Sequence, residues 1–394
     1  MTVLIKPAGP DCNLACSYCF YSDRNALYPD TPRHRMSDET LRELVRKYMN
    51  YHDRVVPFAW QGGEPTLMGL DFFKRAVSYQ RLYGRSGQTV SNSLQTNAVL
   101  LDDPAWARFL HDYHFLVGVS LDGPAEVHDA FRVDHAGKGS HSRVVAAIET
   151  LLEHEVEVNI LSMVQPENIH RPTETYEYLL SLGVDFLQFI PLAEPAGDGG
   201  LMDFSISPRD YGHFLCELFD LWAAAKPREA YVRMFDDALA VVMGYPHPTC
   251  MFGEHCGPYF VVEHNGDIYA CDFFVEEQWK YGNIHDVQFH HIPRMELYKT
   301  FRARKTKGLD ECARCQWFSM CHGGCPKYRV MLGDAAQPTY FCEAYRMFFE
   351  HSYDTLQSMA RKLHARRQAE EQAVKPKDPC PCGSGRRYCD CCMP

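Results

Sequence analysis

Sixteen of the seventeen cysteines in a chain of 394 residues fall into four groups, and grouped thiols are the side chains here best able to do chemistry. The first group is Cys12-x3-Cys16-x2-Cys19, and the second is Cys250, Cys256 and Cys271. The third is Cys312, Cys315, Cys321, Cys325 and Cys342, and the fourth Cys380, Cys382, Cys389, Cys391 and Cys392. Cys216 stands apart in a helical pattern and reads as a small buried hydrophobe. The first residues lack the apolar stretch and cleavage site of a signal peptide, so a cytoplasmic location is expected. Thiols stay reduced there, and clustered ones bind metal more often than they pair.

Three thiolates can hold three irons of a four-iron cluster and leave the fourth iron open to a small molecule, whereas structural zinc closes with four ligands. The alternative for Cys12, Cys16 and Cys19 is a zinc knuckle completed by His34. The eight cysteines between residues 250 and 342 suffice for two complete four-thiolate sites, holding either iron–sulfur clusters or zinc. In the tail, Cys380-x-Cys382-x8-Cys391-Cys392 suits one tetrahedral zinc, with Gly383 and Gly385 making a tight turn and Cys389 surplus. So short a piece cannot fold without metal; the alternative is a disordered end that scavenges it.

These side chains must be positioned by the elements around them. Strand patterns at residues 3–6, 55–60, 89–95, 115–121, 156–164 and 185–189 alternate with amphipathic stretches at 38–50, 70–83, 104–113, 140–154 and 168–182, with Ser37 as an N-cap. Alternating strands and helices predict an α/β fold with a parallel sheet, and six units make a partial (β/α)6 TIM-type barrel. Residues at the C-terminal strand ends then share one mouth. The first cysteine group directly follows the first strand. Gly62-Gly-Glu-Pro65 follows the second, Ser93-Leu-Gln-Thr-Asn97 ends the third, and Ser120-Leu-Asp-Gly123 ends the fourth. A loop at 197–200 leads to helices at 207–225 and 232–244. Tyr245-Pro-His-Pro248 marks a boundary, and a hairpin is predicted at 259–271 around Asn265-Gly266. Helix returns at 344–371, and a Lys/Pro linker at 375–379 precedes the tail. The expected domains are therefore 1–244, 245–350, a helix and linker at 351–377, and 378–394.

Cys-x3-Cys-x2-Cys with an aromatic after it, and the three strand-end motifs in this order, resemble the radical S-adenosylmethionine (SAM) enzymes. The resemblance implies that Cys12, Cys16 and Cys19 carry a [4Fe-4S] cluster and that Gly62, Gly63 and Glu64 bind the amino group of SAM. It also implies polar contacts from Asn97, Ser120 and Asp122, with Arg132 for the carboxylate. The later cysteine spacing resembles the SPASM extension. That likeness assigns Cys250, Cys256, Cys271 and Cys325 to one auxiliary [4Fe-4S] cluster and Cys312, Cys315, Cys321 and Cys342 to another. The tail resembles the SEC-C zinc module, which makes it a docking appendage.

Leu4-Ile-Lys-Pro7, Cys19-Phe-Tyr21, Phe58-Ala-Trp-Gln-Gly-Gly-Glu-Pro-Thr66, Phe186-Leu-Gln-Phe-Ile190 and Tyr269-Ala-Cys-Asp-Phe273 narrow the likeness, over residues 3–350, to anaerobic sulfatase-maturating enzymes. Such enzymes oxidise a Cys or Ser of an unfolded or nascent sulfatase to Cα-formylglycine. The resemblance implies a 5′-deoxyadenosyl radical that takes hydrogen from Cβ of the target, and a low-potential donor such as ferredoxin or flavodoxin. By the same likeness Asp272 is the base, while Tyr21 and Gln61 either line the pocket or merely pack. Another SPASM peptide maturase that forms thioethers or crosslinks, and a non-catalytic metal-binding adaptor, are the competing readings. No apolar run reaches the roughly eighteen residues of a membrane helix, and a net charge of −11 gives no general attraction to nucleic acid or anionic lipid.

Overall fold

Each predicted strand is returned to the same end of the sheet by a helix, and this makes the sheet parallel. The computed structural model describes residues 2–29, 31–196, 199–225, 230–306, 309–330, 337–373, 379–380, 382–387 and 390–392. The strands are β1 (Thr2–Lys6), β2 (Val55–Trp60), β3 (Thr89–Thr96), β4 (Phe115–Ser120), β5 (Glu157–Val164), β6 (Phe186–Pro191), β7 (Tyr231–Val232), β8 (Tyr259–Glu263), β9 (Asp267–Tyr269) and β10 (Lys280–Asn283). They form one sheet in the order β10-β9-β8-β1-β2-β3-β4-β5-β6-β7, parallel from β8 to β7. Helices 38–51, 70–83, 104–112, 141–153 and 172–181 connect its first six strands. Ser37 caps the first of them, accepting from the Thr40 amide at 3.1 Å.

All six expected strands are present, in a partial barrel open between β7 and β10. Several features went unread in the sequence, β10 and helix 296–303 among them. β7 is only two residues long, too short to leave a periodic pattern. The Asn-Gly hairpin forms as expected, with Gly266 at φ +88°, but its first strand also lies parallel to β1, from Thr2 opposite Tyr259 to Lys6 opposite Glu263. The barrel sheet thus runs straight through the boundary expected near residue 245.

Alternation along β2, β3, β5 and β6 separates two faces. Phe58, Trp60, Leu94, Val158, Ile160, Leu187 and Phe189 are buried in the core beneath the helices. Gln95, Leu161 and Met163 face the barrel interior and line its mouth. The helix expected at 344–371 begins at Cys342 and runs unbroken to Ala373, across the boundary expected at 350. It packs on helix 208–224 through Tyr211–Tyr345 and Phe219–Phe348, with ring centroids 6.3 and 5.8 Å apart. Cys216 on that helix is half-buried, and burial pushes its thiol up to about 11. Cys389, Asp198 and the linker residues 375–378 lie outside the described residues. No described helix is long and apolar enough to cross a membrane.

Candidate active site and cysteine clusters

The C-terminal ends of β1 to β6 surround a cavity of ≈ 310 Å³. Cys12, Cys16 and Cys19 line it from the loop after β1, facing Gly62, Gly63, Asn97, Ser120, Arg132, Gln61 and Asp272. The cysteine loop is laced to the glycine loop by backbone bonds, Gly63 N to Gly9 O at 2.8 Å and Glu64 N to Asp11 O at 2.7 Å. The approach is so close that a Cβ on Gly63 would stand 2.1 Å from the Asp11 carbonyl oxygen. Gly63 is therefore required by the cysteine loop itself, whatever ligand lies beyond.

Glu64 lies beneath the cavity floor. Its carboxylate is fully buried and absent from the cavity lining; it accepts from the Thr66 amide and hydroxyl at 2.9 and 2.6 Å, the Thr96 hydroxyl at 2.8 Å and the Asn97 amide at 2.8 Å. Burial raises its pKa against those four bonds. Glu64 clasps the ends of β2 and β3 together, and the cavity is bounded by Gly62 and Gly63 instead. Asn97, so held, donates to Asn13 Oδ1 at 2.8 Å and approaches Cys12 Sγ at 3.5 Å.

Asp122 is placed similarly. It too is fully buried and away from the cavity, forming a two-point pair with Arg132 (2.9 and 3.1 Å) and accepting from Tyr18 at 2.6 Å and the Met163 amide at 3.0 Å. Burial alone would raise its pKa, but the charge and bonds of Arg132 hold it below the carboxylate norm. Asp122 therefore fixes the guanidinium that lines the cavity. Ser120 lines the cavity and accepts from Gln95 at 3.1 Å.

At the opposite side Asp272 follows Cys271, in the turn after β9. Gln61 donates to its Oδ2 at 3.0 Å, and Lys6 Nζ lies 3.8 Å from the same oxygen. Tyr21 does not line the cavity: its ring lies under Lys6 Nζ at 3.8 Å and its hydroxyl donates to Glu263. Lys6, Lys327 and Glu194 went unread as site residues. A buried lysine ending a strand was the available signal for Lys6; Lys327 and Glu194, which pair with each other across the cavity mouth, left none.

The later cysteines gather into two sets. Cys312, Cys315, Cys321 and Cys342 all line a second cavity of ≈ 620 Å³. Cys325 lies near Cys250, Cys256 and Cys271 instead, close enough for their charges to interact. Burial pushes Cys12, Cys321 and Cys325 up to about 12 and Cys16 up to about 11. Such thiols become thiolates only against a strong cationic partner, which fits each set to a metal group. Size distinguishes the groups. Zinc–sulfur bonds of about 2.3 Å hold four sulfurs roughly 3.8 Å apart. Among the described residues, only Cys380, Cys382, Cys391 and Cys392 form such a set, with all ligand atoms within 4.8 Å of one another. The thiols after β1 and in residues 250–342 are not set that closely. His34 does not line the cavity of the first group, and its Nδ1 pairs with Asp11 at 2.7 Å.

Residues 7–179 match the radical SAM superfamily, and residues 252–316 match SPASM, an iron-sulfur cluster-binding domain. A serine-type anaerobic sulfatase-maturating enzyme of Bacteroides thetaiotaomicron is 36% identical over 380 residues, covering 92% of this chain and 91% of that protein. A cysteine-type enzyme of Clostridium perfringens is 36% identical over 367 residues, covering 92% and 99%. The solved structure of anSMEcpe with bound AdoMet and Cp18Cys peptide superimposes with a TM-score of 0.84 at 35% identity, covering 92% of this chain and 99% of that one. With its cysteine triad, its glycine loop and its SPASM thiols arranged as described, this chain belongs to the anaerobic sulfatase-maturating enzymes of the radical SAM superfamily.

Proposed function

We propose that the protein oxidises a Cys or Ser of an unfolded sulfatase segment to Cα-formylglycine, with Asp272 as the base. The observation that carries this is the meeting of the three thiols and Asp272 on one cavity of ≈ 310 Å³. Cys12, Cys16 and Cys19 would hold one [4Fe-4S] cluster, Cys250, Cys256, Cys271 and Cys325 a second, and Cys312, Cys315, Cys321 and Cys342 a third. When bound, these groups together with SAM supply the radical that takes hydrogen from Cβ and an acceptor for the electron left behind. The chain's own residues do the rest. Arg132, fixed by Asp122, presents a fork suited to the SAM carboxylate, and Gly62 and Gly63 leave room for its amino end. Asp272, steadied by Gln61 and Lys6, takes the proton from the target thiol or hydroxyl.

AdoMet and a peptide bound to anSMEcpe support a SAM-dependent reaction on an extended polypeptide. The serine-type and cysteine-type relatives are equally similar, so both targets belong in the assay. A ferredoxin or flavodoxin would supply the low-potential electron, and the tail quartet would hold one zinc. The test is anaerobic turnover of Cys- and Ser-containing sulfatase peptides by reconstituted enzyme, scored for 5′-deoxyadenosine and for the formylglycine mass. Asp272→Asn should still release deoxyadenosine and make little aldehyde; near-normal aldehyde would remove Asp272 from this role. A crosslinked peptide would instead identify a different SPASM maturase.

A further inference from the structure

Beside both SPASM thiol sets lies a guanidinium with no carboxylate partner among the described residues. Arg329 is wholly buried, and its described bonds all go to main-chain carbonyls: Nε to Gly323 at 2.9 Å, Nη1 to Lys305 at 2.9 Å, and Nη2 to His322 at 3.1 Å and Gly324 at 3.2 Å. Among the described residues it has no ion-pair partner. A buried charge without compensation is costly enough that structures rarely tolerate one.

The residues it grips explain its place. His322, Gly323 and Gly324 are the whole span between Cys321, which lines the second cavity, and Cys325, which joins the other set. All three adopt positive φ, at 45°, 73° and 71°. Three successive left-handed residues turn the chain sharply enough for neighbouring cysteines to serve different sites. Arg329 fills that turn so closely that a Cβ on Gly323 would meet its Nη2 at 2.5 Å. Its charge acts on Cys312 and Cys321 of one set and on Cys256 and Cys325 of the other.

We propose that Arg329 is a counter-charge shared by the two auxiliary clusters, holding the crossover turn and raising both reduction potentials together. Each cluster with four thiolates is an anion that gains a further negative charge on reduction, so a fixed cation beside it favours the reduced form. A cation reaching both also makes the potentials respond to one residue. This is a positioning role, exerted through the clusters and without contact with substrate. It rests on the reading that both thiol sets hold iron–sulfur clusters.

The experiment uses full-length protein with Cys12, Cys16 and Cys19 changed to Ala, so that only auxiliary signals remain. Iron and sulfide are counted after anaerobic reconstitution, and both clusters are titrated by redox potentiometry with EPR detection. Arg329→Gln should shift the oxidised-to-reduced ratio about tenfold at both clusters, a drop of about 59 mV for a one-electron couple. Arg329→Lys, which keeps the charge, should restore most of both shifts. Unchanged potentials in Arg329→Gln, or a shift at one cluster alone, would overturn the proposal. Loss of cluster iron in both variants would also overturn it, leaving Arg329 as a brace for the turn. Loss in Arg329→Gln alone, with Arg329→Lys near the parent potentials, would support it. Zinc in place of iron and sulfide in the parent protein would sink the cluster reading itself, before any variant is made.

Discussion

The cysteine loop after β1 and the cysteine tail beyond residue 378 hold the same donor atom by opposite means. Around the loop, the sheet, the Gly63 approach, the Glu64 clasp and the Asp122–Arg132 pair fix the backbone whatever occupies the site. In the tail, the order described rests on a few local bonds, such as Cys380 N to Arg386 O at 2.7 Å and Gly383 N to Cys380 O at 3.1 Å. Cys382, Cys391 and Cys392 are exposed there. A scaffold that stands without metal can leave an iron open for chemistry, because the missing ligand does not unfold it. A quartet with almost no core of its own would need a metal in order to fold, and would close around it.

The comparison can be broken most sharply at Cys16. Cys16→Ala should lower 5′-deoxyadenosine formation by about a thousandfold or more, since even outer partners of metal ligands are worth 10–100-fold. Zinc content of the tail, measured by mass spectrometry of metals, should not change. A fall in both would mean that the two ends are not independent.

Next in size is Asp122→Asn, which strands Arg132 as a buried charge and should destabilise the barrel by about 3–5 kcal/mol, read by denaturant unfolding. The pH dependence has a defined sign. Arg132 holds the folded pKa of Asp122 below its unfolded value near 3.9, so its stabilisation is complete above about pH 5. That contribution is lost as pH falls through the folded value, and the variant should lack this acid limb.

A smaller effect is expected at Gly63→Ala. The new Cβ meets backbone rather than a mobile side chain, so the cysteine loop must shift, at a cost of about 1–3 kcal/mol. Iron at the first cluster should fall while the auxiliary iron stays, a contrast visible by EPR. Smallest of all is removal of the tail. A chain ending before Asp378, or the full chain treated with a chelator, should keep its main unfolding transition within about 0.5 kcal/mol, as expected for a segment outside the core. A large loss of stability would show that the tail braces the barrel.

Much of this was legible in the sequence because local patterns carry it. Cysteine spacing reveals how many thiols a loop can offer, and period-2 and period-3.6 alternation revealed six strands and the helices between them. The Asn265-Gly266 turn was equally local. What escaped were contacts between segments distant in the chain. Glu64 is turned inward by burial to Thr66, Thr96 and Asn97, contacts that no local pattern announces. Asp122 is held by Arg132, ten residues on, in a pair that spacing alone does not reveal.

Residue types and their spacing determined by themselves the donors, the likeness to a family and the alternation that builds the barrel. Tertiary structure alone decided that β8 lies against β1, which brings Asp272 to the cavity of Cys12, Cys16 and Cys19 across some 250 residues of chain. It also decided that Cys321 and Cys325 part company around Arg329. The physical reason is that periodicity encodes which face of an element is apolar, while strand partnership and the burial of charges depend on which faces meet once the whole chain is packed.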